Sequence, residues 1–173
     1  MLPCWVAVGG ATDVGISAGM LSVPVMFCII GGYYEIFQSL FELFYFFKQK
    51  TAYDMANYQV GVHMHAFFGE NSKAIAEWYY PFYAAQMNRV GASRGWPPYQ
   101  RSQYDFGRSK HAHLLVGEAN EMIDKILEIQ ESFGLTRFAA HMDVGSPDHA
   151  QMMKSIEIYG TQIVPKVKAA LAK

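Results

Sequence analysis

Twice in its opening stretch the chain runs an apolar segment straight into a pair of glycines. Trp5-Val6-Ala7-Val8 leads into Gly9-Gly10, and Val25-Met26-Phe27-Cys28-Ile29-Ile30 leads into Gly31-Gly32. Short apolar runs with β-branched and aromatic members suit parallel strands covered on both faces. The glycines let the backbone turn tightly where each strand ends. After the first pair, Thr12 or Asp13 can cap the first amides of a helix expected from about Asp13 to Leu21. Such a turn aims free N–H groups and the positive end of a helix dipole outward, which makes it a seat for a phosphate. The same residues also suit a capped turn that binds nothing.

The grammar continues downstream. A helix is expected from about Tyr33 to Lys50, apolar nearly all round apart from Glu35, Gln38 and Glu42, which is unusual for a surface helix. Within this region Phe46 to Tyr53 is similar to a peptide made when sequencing-adapter DNA is translated, so no function is read from it. A third strand, Gln59 to Phe68, alternates His63 and His65 with Val62, Met64 and Ala66 and so puts both histidines on one face. Gly69 to Ser72 turns into a helix that Pro81 is expected to break, a second helix then running towards Arg89. Gly91 to Lys110 is rich in Gly, Ser, Arg, Pro and Tyr and reads as one long irregular segment, functional or mobile. Its part from Arg94 to Arg108 suits either a lid, with Arg101 or Arg108 reaching an anionic group, or a solvated loop.

Leu114 to Gly117 precedes an amphipathic helix, Glu121 to Phe133, with Met122, Ile126, Ile129 and Phe133 at helical spacing and Gly134 at its end. A fourth strand, Arg137 to Met142, opens into Asp143 to Pro147, and Pro147 suits the first turn of a helix carrying Met152, Ile156 and Tyr159. A last helix is expected from about Gln162 to Ala172. Four strands alternate with helices and no hairpin dipeptides join them, which specifies an α/β fold with parallel strands.

Composition narrows the function classes. A net charge of -1 offers no basic face for nucleic acid. Pro24, Gly31, Gly32 and three polar side chains interrupt the most apolar region, Met20 to Phe47, which argues against a membrane span. Cys4 and Cys28 both fall in apolar strand-like runs, outside any metal-ligand spacing, and read as buried, reduced thiols. A cytoplasmic, soluble protein without a metal is expected.

Taken in order, these segments resemble the C-terminal half of the bacterial-luciferase-like flavin-dependent monooxygenases. Trp5 to Gly10 resembles the fifth strand of that family's (β/α)8 barrel, Val25 to Gly32 the sixth, and Val60-Gly61-Val62-His63-Met64-His65-Ala66-Phe67 the seventh. Leu115-Val116-Gly117-Glu118 stands where the family often has Val-Gly-Ser/Thr-Pro-Glu. Phe138 to Met142 stands for the eighth strand, and Ser155 to Pro165 is similar to a common family terminus. The resemblance covers nearly all of 1–173, read as one partial domain, and nothing in it corresponds to the first four strands.

The resemblance implies a TIM half barrel with its active site at the C-terminal strand ends. It implies flavin mononucleotide (FMN), or a deazaflavin in relatives that carry hydride without oxygen. The FMN phosphate would sit on the turn of Gly9, Gly10, Ala11 and Thr12, with Gly31 and Gly32 beside it. The family often has Gly-Gly-Thr-Pro-Glu there, so the Thr12 hydroxyl comes one position late. His65 is the candidate catalytic residue; a histidine satisfied by a neighbouring group is its structural alternative, as for His63, His141 and His149. The expected activity is oxygenation of a small organic substrate by reduced FMN and dioxygen. The expected partner is an N-terminal half or a second copy, because half a barrel leaves two open sheet edges. The competing reading is a non-catalytic half-barrel scaffold, or a truncated fragment, that binds no cofactor.

Overall fold

The computed structural model describes residues 4–50 and 59–172, so Thr51 to Tyr53 of the adapter-like stretch lie outside the described residues. Strands and helices alternate in the order β1 (Val6–Val8), α1 (Thr12–Met20), β2 (Val25–Ile29), α2 (Ile36–Lys50), β3 (Val60–Phe68), α3 (Ser72–Ala92) and α4 (Arg101–Arg108). Then follow β4 (Leu115–Gly117), α5 (Ala119–Phe133), β5 (Arg137–His141), α6 (His149–Ile158) and α7 (Val164–Leu171). The four expected strands pair in parallel, β1 on β2, β2 on β3 and β5 on the other side of β3. The three-residue β4 is a further parallel strand, joined to Ala66–Phe68 beyond the reach of β2 and β5. Its apolar run is too short to stand out in sequence as a strand.

Register gives the sheet two unlike faces. One carries Val25 beside Val60, Phe27 beside Val62 and Phe138, and Ile29 beside Met64 and Ala140. Val8, Val25, Phe27, Ile29, Val60, Val62 and Met64 on this face are fully buried under the helices. Phe27 sits at its centre, its ring 6.3–6.5 Å from those of Phe37, Phe41, Phe44 and Phe133. The opposite face carries Ala7, Met26, Gly61 and Arg137 in one row, Cys28, His63 and Ala139 in the next, and His65 beside His141 in the last. Among the described residues β1 and β5 each pair on one side only, so the sheet is an open segment of a barrel.

Several local expectations are corrected. Neither Thr12 nor Asp13 caps α1: the N-cap is Ala11, with no side-chain hydrogen bond. Pro81 does not break α3, which runs unbroken through it. The proline is exposed, and Ile75, Ala76, Tyr79, Tyr83 and Ala84 bury the helix on both sides of it, so packing outweighs one lost hydrogen bond. The Gly91 to Lys110 segment contains α4, started by a reciprocal capping box between Gln100 and Gln103 and anchored by buried Tyr104. Pro147 precedes α6 rather than opening it, since Asp148 is the N-cap and accepts a hydrogen bond from the Gln151 amide. The last helix does not start afresh at Gln162. A π-helical turn, Tyr159–Ile163, joins α6 to α7 just ahead of Pro165, a wider turn where a proline N–H is lacking. Gly134 ends α5 in the left-handed region, as expected. Cys28 is half-buried, but Cys4 is exposed, because it lies ahead of β1 rather than inside it. Among the described residues no helix is long and apolar enough to cross a membrane.

Candidate functional site

The C-terminal strand ends open into a cleft of about 1140 Å³. Gly9 follows β1, Gly31 and Gly32 follow β2, His65 stands where β3 stops pairing with β5, His141 ends β5 and Asp143 follows it, all lining this cleft. The far wall comes from the end of α3 and the segment leading to and including α4, through Arg89, Arg94, Trp96, Tyr99 and Phe106. Gly145 makes that wall close: its φ is +85°, and a Cβ there would lie 2.1 Å from the Phe82 carbonyl oxygen.

The turn after β1 suits an anion. Gly10 has a φ of +109°, and among the described residues a Cβ on Gly9 or Gly10 would meet nothing within 4 Å. The uncapped start of α1 leaves its first amides without side-chain acceptors. Gly9 lines the cleft, whereas Gly10, Ala11 and Thr12 lie on the same turn outside the lining. Gly32, with φ +73°, is held by His113, whose Nδ1 donates to the Gly32 carbonyl at 3.1 Å.

His65 is buried, with its Nδ1 3.1 Å from the Tyr83 hydroxyl. Burial comes first among the causes that push its pKa down to about 3, followed by the neighbouring His141, His63 and His113. Burial likewise holds the Tyr83 hydroxyl protonated by raising its pKa. The ring is therefore neutral. Among the described residues the Tyr83 hydroxyl has no other hydrogen-bond partner, and donation of its buried O–H to Nδ1 puts the ring proton on Nε2. The His65 ring lines the cleft.

His63, His65 and His141 form one group, with ring centroids 5.0 Å apart for His63 and His141 and 5.3 Å for His65 and His141. His141 Nε2 is 2.6 Å from Asp143 Oδ1. The Nδ1 atoms of His63 and His141 are buried without partners. Among the described residues no group of three or more histidine, cysteine or acidic side chains is disposed to hold a metal ion.

Other expected residues fall elsewhere. Arg101 pairs with Glu77 and Asp105, and Arg108 donates to the carbonyls of Val116 and Ser72, so neither reaches the cleft. His149 opens α6 on the surface. Sequence reasoning missed His113, Tyr83 and Arg89. The alternation His111-Ala112-His113 was the only local signal, and the other two lie within a helix whose face cannot be ranked without its packing.

No protein-family model matches the sequence, and no curated protein matches it. Solved structures do. Monooxygenase RslO1 from Streptomyces bottropensis superposes with a TM-score of 0.70 at 15% identity, over 94% of this chain and 47% of its own. The oxygenating constituent of 3,6-diketocamphane monooxygenase from Pseudomonas putida, in complex with FMN, gives 0.66 at 14% over 94% and 48%. An F420-dependent secondary alcohol dehydrogenase, in complex with an F420-acetone adduct, gives 0.65 at 14% over 96% and 49%. The fold is shared. The chain spans about half the length of these structures, which matches half of a (β/α)8 barrel, and the likeness in fold agrees with the resemblance to the luciferase-like monooxygenases.

Proposed function

We propose that this chain forms one half of a flavin-dependent oxidoreductase of the luciferase-like kind, acting in the cytoplasm on a small organic substrate with reduced FMN and dioxygen. One observation carries the reading: the glycine turns after β1 and β2 and the neutral His65 converge on a single cleft at the C-terminal strand ends, where barrels of this type place their chemistry. When bound, reduced flavin supplies the electrons that activate dioxygen. The backbone of Gly9, Gly10 and Ala11 holds the cofactor phosphate, with Gly31 and Gly32 leaving room beside it. His65 hydrogen-bonds the bound ring or substrate through Nε2–H. Trp96, Tyr99 and Phe106 shield the cleft from water. The open edges of β1 and β5 are completed by a chain supplying the remaining strands, or by a second copy.

A deazaflavin is the second reading, favoured by the structural likeness to the F420-dependent dehydrogenase. A half-barrel scaffold without cofactor is the third, favoured by coverage of only half of each matched structure. Titration with FMN, followed by flavin fluorescence with the oligomeric state recorded on the same sample, tests the first. Saturable binding that is lost in Gly10→Val, whose side chain is strained at φ +109°, supports it. A folded chain that binds FMN equally well with and without that substitution overturns the assignment of the turn, and one that binds no FMN even with its complementary half present leaves the scaffold.

A further inference from the structure

The far wall of the cleft has a charge pattern that the flavin reading leaves unused. Arg89 and Arg94 both line the cleft. Among the described residues neither has a carboxylate partner, whereas Arg101 is matched by Glu77 and Asp105. Asp143 is the one carboxylate in the lining, and its Oδ1 is engaged by His141 at 2.6 Å. The wall therefore carries two positive side chains with no carboxylate bonded to either among the described residues, and a concave wall concentrates such a field.

The two guanidiniums differ in how they are held. Arg94 lies over the ring of Trp96, its central carbon 5.0 Å from the centroid. A guanidinium over an aromatic ring is held in place by it while its N–H groups remain able to meet an anion. Arg89 gives one N–H to the Gln86 side chain and keeps the others. Beside them Trp96, Tyr99 and Phe106 line the same wall with aromatic surface, Trp96 49% and Phe106 39% exposed. Apolar surface next to an unpaired, partly stacked cation is the combination that recognises an organic acid with an apolar body. Gly9 lies after β1 on the strand side of the cleft, so an anion on this wall need not compete for the turn that suits the cofactor phosphate.

We propose that the α3–α4 wall is a carboxylate-binding subsite, in which Arg89 and Arg94 hold the acid of an aliphatic or aromatic carboxylic acid and Trp96, Tyr99 and Phe106 cover its body. The inference rests on the flavin reading only in treating this ligand as the substrate; the subsite stands on the wall itself.

Calorimetric titration of the whole chain with octanoate, octan-1-ol, FMN and riboflavin tests it. Octanoate is expected to bind at least tenfold more tightly than octan-1-ol, and Arg94→Gln and Arg89→Gln are each expected to weaken octanoate about tenfold while leaving octan-1-ol unchanged. Arg94→Lys is expected to restore part of the loss, since it returns the charge without the fork. Both arginines are exposed, so the variants are expected to keep the wild-type circular dichroism spectrum. Equal binding of acid and alcohol, no binding of octanoate, or octanoate affinity unmoved by the substitutions overturns the subsite. If the substitutions weaken FMN but not riboflavin and spare octanoate, the arginines hold the cofactor phosphate and the proposal is wrong. Octanoate binding without FMN binding, with the complementary half present, sinks the flavin reading and leaves the subsite; FMN binding without octanoate does the reverse.

Discussion

The two faces of the sheet are made by the same strands, residue by residue in alternation, and they differ in almost every physical respect. The helix-covered face is a continuous apolar layer whose central side chains have no exposure. The opposite face bears Cys28, His63, His65, His141 and Arg137 among small residues, and is partly open. One face excludes water and supplies cohesion; the other keeps polar atoms, some without partners, at the floor of the cleft. Stability and chemistry are thus separated by a single backbone step, and substitutions at adjacent positions should have unlike consequences.

Phe27 and Cys28 provide the sharpest contrast. Phe27 is fully buried among four aromatic rings, whereas its neighbour Cys28 points to the half-open face. Phe27→Ala is expected to cost about 3–5 kcal/mol, the usual range for emptying a packed aromatic site. Cys28→Ala should cost no more than about 1 kcal/mol, since little packing is lost. Urea unfolding midpoints of the two variants measure the difference. Similar losses would mean that the open face is as tightly packed as the covered one, and the distinction would fail.

Acid should expose the one polar residue of the open face that is buried as deeply as the core. His65 titrates in the unfolded chain near 6.5 but only near 3 when folded. Between those values the unfolded state binds the extra proton, so stability falls as pH falls from about 6.5 towards 3. His63 and His113, also lowered chiefly by burial, act in the same direction. His65→Gln should remove a share on the order of 2 kcal/mol from the acid loss while leaving the pH 8 midpoint less affected. Chemical denaturation at pH 7.5 and at pH 5 reads that share. An identical pH dependence in the variant would mean that His65 is not buried neutral, and that the open face is wetter than its geometry indicates.

The covered face was legible in sequence because its signal is local. Runs such as Val25 to Ile30, closed by glycine pairs, announce both strand and end, and alternation at His63 and His65 correctly puts the two rings on one face. What the sequence concealed depends on contacts between distant segments. Pro81 stays helical because buried Tyr79 and Tyr83 hold α3 on either side of it. The helix α4 was hidden in a stretch of glycine, proline and arginine because its anchor, Tyr104, is buried against α3 with its hydroxyl donating to the Ala76 carbonyl. Arg101 and Arg108 were the natural candidates for an anion on position alone, yet their partners Glu77, Asp105, Ser72 and Val116 consume them. Arg89 and Arg94 take that place in the proposed subsite because, among the described residues, no carboxylate pairs with either.

The smallest effect is expected at the rim, in the pair formed by His141 and Asp143. Their 2.6 Å contact is short, but the side chains keep 40% and 68% of their surface exposed. Water competes for both groups, and such pairs contribute about 0–1 kcal/mol. The contact fixes the direction of the His141 ring. Asp143→Asn, His141→Asn and the double variant, measured by urea unfolding, should give a coupling below about 1 kcal/mol. The informative result is a larger one. A coupling of about 2–3 kcal/mol would mean that the pair is desolvated in solution, which requires something to cover the open face. The most economical cover is another set of strands against the histidine row, from a second copy or a complementary half. Repeating the cycle over a range of protein concentrations would separate these two, because a cover supplied by a second copy strengthens with concentration.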